Sequence, residues 1–343
     1  MHLRRTRAPR PRSFRGVAAT LLAGSLLLAG CTGDEEPRSP AGAESHGAGG
    51  RAVPPAPVSP LTGLELKKRA ADAPVIGVKV DNTASSSPQV GLGRADMLVE
   101  ELVEGGMTRI AAFFHTEVPS NVGPVRSLRA TDIGVVQPLG AVLVASGGAP
   151  QTVERVRDAG IRTFTEGATG FYRESGRAAP YNLFVRLDEL ARTLKDKRLP
   201  EPYLPFSEKG DLPKGKPARA LTASFSGSSA TSFEFRKGVY VNTDSYAGAD
   251  DRFEPATVLV LRVQVGDAGY VDPAGNPVPE TKFTGQGRAM IFHDGRVVRG
   301  TWVKPGLEAP VRLKAGGSAL RLPAGEVWIE LVPADGGDVT FRR

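Results

Sequence analysis

The chain has 343 residues and one cysteine, Cys31. A lone thiol cannot form an internal disulfide or supply the several thiolates of a structural metal site. Histidine is almost as scarce. Of the four, His2 and His46 fall in segments expected to lie outside any core, which leaves His115 and His293 for a folded site. A histidine-rich metal centre is therefore not expected. A Ser-His-Asp triad would have to use one of these two, and no G-x-S-x-G elbow accompanies them. No metal and no cofactor is expected.

Nucleotide-binding loops are missing too. Gly210-Asp211-Leu212-Pro213-Lys214-Gly215-Lys216 begins like a P-loop, but Pro217 stands where a Ser or Thr would bind Mg²⁺, and no strand precedes it. Gly91-Leu92-Gly93-Arg94-Ala95-Asp96 lacks the third glycine of a dinucleotide fingerprint and reads as a turn before a strand. Excess positive charge is absent where it would matter. The formal charge of +7 falls to +1 once residues 1–30 are removed, because they carry six arginines and no acidic residue. Nucleic acid is therefore not expected as a partner.

What the N-terminus does contain is a leader. Arg4, Arg5, Arg7, Arg10, Arg12 and Arg15 precede an uncharged stretch, 16–30, that stops short of the ~20 apolar residues a membrane-spanning helix needs. It ends in Leu28-Ala29-Gly30-Cys31, the small-residue pattern cut ahead of a cysteine that then receives diacylglycerol. Residues 1–30 are expected to be a signal peptide and 31–59 a lipidated, disordered tether rich in Gly, Ala, Pro and Ser. Two or more acyl chains exceed the threshold for stable anchoring. The mature protein is thus expected on the outer face of the cell membrane, outside the cytoplasm.

Beyond the tether, a Pro-rich stretch with alternating charge, 197–217, reads as a linker between domains 60–196 and 218–343. The first alternates strand-like runs (75–80, 97–103, 108–115, 141–145) with helical patterns (151–159, 187–194). The second is β-rich at 220–225, 232–241, 256–265, 289–302, 311–322 and 327–332, and Asp294-Gly295 signals a type I′ hairpin. The expected fold class is a mixed α/β N-terminal domain followed by a smaller, mainly-β C-terminal domain.

Polar residues concentrate between positions 81 and 129. Asp81-Asn82 ends a strand; Glu100, Glu104 and Arg109 lie on or beside neighbouring strands; Gly123-Pro124-Val125-Arg126-Ser127-Leu128-Arg129 reads as a turn opening into a helix. A helix N-terminus with Arg126 and Arg129 on one face would bind an anion. The competing reading pairs Asp81, Glu100 and Glu104 with these arginines as structural ion pairs.

The same residues carry a resemblance. Pro60-Leu61-Thr62-Gly63-Leu64, Val80-Asp81-Asn82, Val103-Glu104-Gly105-Gly106-Met107-Thr108-Arg109, the Gly123 to Arg129 block, Gly147-Gly148 and Phe171-Tyr172-Arg173 resemble the signature blocks of the YerB-like bacterial lipoproteins. Asp294-Gly295-Arg296 to Gly300-Thr301-Trp302 resembles that family's C-terminal domain. The resemblance spans about 60–333 and implies the two-part architecture and the anchor, but no reaction. One position departs from the pattern: Ala179-Pro180-Tyr181-Asn182 stands where Ala-Pro-His-Asn is expected. Tyrosine, with an ordinary pKa of ~10, cannot replace a histidine general base near neutrality, whereas a stacking or hydrogen-bonding role survives the exchange.

The expected function is a lipid-anchored binding or assembly module for an anionic or polar component of the cell envelope, such as a cell-wall component. The ligand candidates are Asp81, Asn82, Glu100, Glu104, Arg109, Arg126, Arg129, Tyr181 and Asn182. The alternative is an envelope hydrolase or transferase in which two of Asp81, Glu100 and Glu104 act as acid and base on a glycan or phosphodiester.

Overall fold

Runs rich in Val, Ile, Leu and Phe and too short for helices set the architecture. The computed structural model describes residues 56–67, 73–195 and 199–343. The expected signal peptide, the expected lipidation site Cys31 and most of the expected tether lie outside these. The last tether residues, 56–59, are folded: Val58 bridges Glu65, and Ser59 is buried, its Oγ accepting the N–H groups of Leu61 and Thr62 at 3.2 and 3.3 Å.

In the N-terminal half, β1 (Ile76–Asn82), β2 (Met97–Leu102) and β3 (Thr108–Phe114) pair antiparallel about β3. β4 (Val142–Val144) joins β1 in parallel, and β5 (Thr163–Phe164) joins β4 in parallel. β6 (Phe171–Arg173) and β7 (Leu183–Val185) form a separate antiparallel pair. The α-helices among the described residues are α1 (Asp132–Val136), α2 (Pro150–Asp158) and α3 (Leu187–Thr193).

The C-terminal half begins with the two-residue strands β8 (Phe206–Ser207) and β9 (Lys216–Pro217). β10 (Ala220–Ser224), β11 (Ala230–Arg236) and β12 (Val239–Asn242) follow, then β13 (Thr257–Val271), β14 (Pro277–Lys282), β15 (Gly285–His293) and β16 (Arg296–Lys304). The chain closes with β17 (Arg312–Ala315), β18 (Ser318–Leu320), β19 (Leu322–Pro323), β20 (Val327–Pro333) and β21 (Asp338–Arg342).

Both halves enter one 13-stranded sheet, ordered β18-β17-β16-β15-β13-β20-β2-β3-β1-β4-β5, with β14 on β13 and β9 on β16. β20 runs parallel to both β13 and β2, so the seam between the halves is a hydrogen-bonded strand pair. A second sheet, β12-β11-β10-β21, covers one face. Alternation sorts the side chains. Met97, Val99, Ile329 and Leu331 join the core on one face; Leu98, Trp328 and Val332 join the other, with Leu221 and Phe233 of the second sheet.

One expectation changes. The chain is mainly β, and the mixed α/β character expected of the N-terminal half reduces to helices of 5, 9 and 7 residues laid against a sheet. In the 197–217 stretch, the described residues include packed chain. Tyr203 and Leu204 are buried, β8 pairs with β19, and β9 pairs with β16. The prolines oppose a helix there but leave room for packed, extended chain.

Candidate functional site

Asp81 and Asn82 are adjacent on β1 and therefore point to opposite faces of the sheet. That one fact divides the candidate residues into two groups. On the first face, Asp81 and Glu101 both stand opposite Arg109 of β3, and Lys79 lies two residues before Asp81. On the second, Asn82 meets Glu100.

The first face holds an ion-pair network. Glu104 accepts hydrogen bonds from Arg109 Nη2 at 3.0 Å and from Arg129 through Nε at 2.8 Å and through Nη2. Burial alone would raise the Glu104 carboxyl, but the Arg129 hydrogen bonds and the charges of Arg109 and Arg129 outweigh it and hold it below the usual range. Arg109 also donates to the Ser127 carbonyl at 3.1 Å. Its burial, together with the Arg129 charge, brings it down to about 10. Asp81 Oδ2 lies 3.0 Å from Arg126 Nε, and its Oδ1 accepts from the Thr83 N–H and hydroxyl at 3.0 and 2.5 Å. Lys79, unexposed, reaches Glu101 at 2.5 Å and Asp132 at 2.8 Å. Burial would lower the Lys79 ammonium, but Asp132 and Glu101 more than compensate and hold it charged. Lys79, Arg109, Arg126 and Arg129 are thus matched by Asp81, Glu101, Glu104 and Asp132, and the network is neutral.

On the opposite face, Asn82 Nδ2 donates to Glu100 Oε1 at 2.8 Å and to Thr108 at 2.9 Å, and its own Oδ1 accepts from Gln89 at 3.1 Å. Thr231 of β11 donates to both Glu100 oxygens at 3.0 Å. Asp81, Glu100 and Glu104 are 2%, 0% and 5% exposed, so none of the three carboxyls stands in an open cleft where an acid–base pair could reach a substrate.

The helix expected to start near Ser127 is absent. Residues 122–128 run extended because sheet-like partners take their backbone groups: Asp81 N–H donates to Pro124, Val125 N–H to Leu183, Arg126 N–H to Lys79 and Leu128 N–H to Gly147. Arg126 and Arg129 consequently do not share a helix face. Arg126 instead lies over the Tyr181 ring, 5.1 Å from its centroid, the stacking role that the exchange of histidine for tyrosine allows. Asn182 stands apart from the network, its Oδ1 accepting from Arg173 at 2.7 Å.

The open space lies alongside the network. β4, α2 and β5 form a crossover between parallel strands, and ligands in such units lie beyond the strands' C-terminal ends. There, a cleft of about 550 Å³ is bounded by Ser127, Arg129, the 146–151 turn and the β13–β14 hairpin. Gly147, at φ +128°, makes the strand-to-helix turn with open space above its Cα. Pro150 starts α2 and no side chain caps it; Pro150 itself has no N–H, and the Thr152 and Val153 N–H groups donate to the Ala149 carbonyl at 2.9 and 3.0 Å, so the first turn closes on its own backbone. The Ser127 and Ser146 hydroxyls stand 3.3 Å apart on one wall. The hairpin wall is tied to α2 by Thr152 with Tyr270 at 2.8 Å and Arg155 with Glu280 at 2.8 Å, and it presents the exposed Val271 as an apolar lip.

Sequence reasoning found Arg129 but missed Ser127, Ser146 and Tyr270 as cleft residues, and Lys79, Glu101 and Asp132 as network members. A signal existed for Lys79, a charge inside the apolar run 75–80, since a buried charge demands a partner. Tyr270, on a hairpin brought in from the other half, had none.

Two family models, described as the N-terminal and C-terminal domains of a protein of unknown function, DUF3048, match residues 61–200 and 221–329. The chain belongs to this family. The DUF3048 chain is 23% identical over 290 residues to YerB of Bacillus subtilis (strain 168), named as a candidate lipoprotein; the match covers 80% of this chain and 86% of that one. Its fold is similar to the crystal structure of YerB from Bacillus subtilis, with a TM-score of 0.70 and 20% identity over 83% of this chain and 99% of that one. Among the described residues, no helix is long and apolar enough to cross a membrane.

Proposed function

We propose that this DUF3048 protein is a lipid-anchored binding module of the cell envelope, whose ligand site is the cleft between the β4–α2 turn and the β13–β14 hairpin. Its ligand is a polar or anionic envelope component with some apolar surface. The leader, the Leu28-Ala29-Gly30-Cys31 pattern and the name of the Bacillus relative support the anchor. The observation that carries the binding role is the cleft itself, set at the C-terminal end of a parallel strand with hydroxyls and a guanidinium on its walls. Arg129 serves the site through rigidity: Glu104 fixes its guanidinium, so little side-chain entropy remains to be lost on binding. Asp81, Glu104, Arg109 and Arg126 support this wall. Because the network is neutral, recognition rests on hydrogen bonds more than on net charge.

A thermal-shift screen of the full chain in detergent tests this, with soluble peptidoglycan fragments and glycerol-phosphate oligomers as probes. A probe at 100 times its Kd stabilises by ~2.7 kcal/mol. That corresponds to a rise in Tm of about 5–10 °C. No shift with either probe class would remove the envelope-binding reading.

A further inference from the structure

Glu100 and Glu330 face each other where the two halves of the chain meet. They are register partners across the parallel β2–β20 pair, and both are fully buried. Parallel neighbours lie ~4.8 Å apart, which brings carboxyls on the same face within reach of one another. Glu100 is furnished as an acceptor, with Thr231 and Asn82 donating to it. Glu330 is the reverse: as a carboxylate, neither of its oxygens meets a donor among the described residues. A bare buried charge beside a second carboxylate is the costliest state available to it. Protonated, the same group becomes a donor, and Glu100 is its acceptor.

We propose that Glu330 keeps its proton at neutral pH and donates it to Glu100, so that the seam between the two halves is latched by a proton held between two carboxyls and loosens when that proton is lost. The groups around the pair favour this state. The register neighbours on the outer strands, Ile110 and Val260, are apolar, and Thr108, Asn82 and Thr231 are neutral. Asp244 is the further charged group acting on both carboxyls, and its sign also favours the proton. No third His, Cys, Asp or Glu converges with them to hold a metal ion among the described residues. Burial pushes Glu100 up to about 7; burial, then the charge of Glu100, pushes Glu330 well above the carboxylate range. The folded state then binds more protons than the unfolded chain above the ordinary glutamate value of ~4.3, so stability falls as pH rises from there, the Glu100 share levelling off near 7 and the Glu330 share continuing until its proton is lost.

The experiment is the Tm of the full chain between pH 5 and pH 9 for the parent and Glu330→Gln, whose amide donates to Glu100 at every pH. The variant should match the parent near pH 5 and surpass it at pH 9, the difference growing by about 2–4 °C per pH unit. Glu100→Gln, which removes the accepting charge, provides a second curve that should also flatten. At neutral pH, the infrared carbonyl band of a protonated carboxyl should be present in the parent and lost in Glu330→Gln. Parallel Tm curves, or an infrared spectrum unchanged by the substitution, would overturn the latch. So would calcium restoring the parent, but not the variant, at pH 9, because the pair would then be a cation site.

Discussion

Arg129 is 8% exposed and gives most of its hydrogen-bonding capacity to Glu104. Arg129→Gln should therefore cost ~1.5–3 kcal/mol, because Glu104 loses the Arg129 hydrogen bonds and keeps that of Arg109. Arg126→Gln should cost less, because a side chain 19% exposed lets water take its place beside Asp81. Denaturant midpoints of the two variants check this, and equal small losses would show that Glu104 is not held as described. The acid limb gives a second test. Because Glu104 titrates below its unfolded value, its contribution is present above ~4.3 and is lost as pH falls through the folded pKa. Glu104→Gln should have a flatter acid limb than the parent. At this scale the sequence grouped residues that the fold brings together: Asp81, Glu104, Arg109, Arg126 and Arg129 converge. It could not show that the arginines were already engaged, because partners on different strands are brought together only by register. That Asn82 and Glu100 face the other way was legible from strand alternation alone.

Strands and turns were read more successfully than the site, for a local reason. Apolar runs such as 75–80 and 97–103 fall within a residue or two of β1 and β2, and the 151–159 helix of α2. Asp294 and Gly295 adopt φ of 47° and 65°, as a type I′ turn requires. Gly295→Ala should cost ~1–2 kcal/mol. The left-handed backbone disfavours alanine, and a Cβ there would lie 2.9 Å from the Phe235 ring. A thermal midpoint unchanged from the parent would contradict that turn. β14 and β21 were missed because Pro277-Val278-Pro279-Glu280 and Asp338-Val339-Thr340 are too polar or proline-rich to read as strands. Tertiary pairing recruits them. The helix expected near Ser127 failed for the same reason, since β1 and β7 claim its backbone groups.

For the whole molecule, composition correctly marked a strand-rich C-terminal half, and the halves on either side of 197–217 share a sheet. Long-range strand pairing leaves no local trace for composition to detect. Anchoring is testable directly: Cys31→Ser should move the chain from the detergent phase to the aqueous phase, and unchanged partitioning would remove the lipid from the account. The claim that matters most is that the cleft beside Arg129 binds an envelope component. Gln151 is exposed on α2 and lines that cleft, so Gln151→Trp should fill it without disturbing the core. The deciding measurement is equilibrium binding of soluble peptidoglycan fragments and glycerol-phosphate oligomers to the parent and to this variant, with both Tm values taken in the absence of probe. The account predicts equal Tm values and at least a tenfold loss of affinity in the variant, about 1.4 kcal/mol. Equal affinity in the two proteins, or binding by neither, would contradict it.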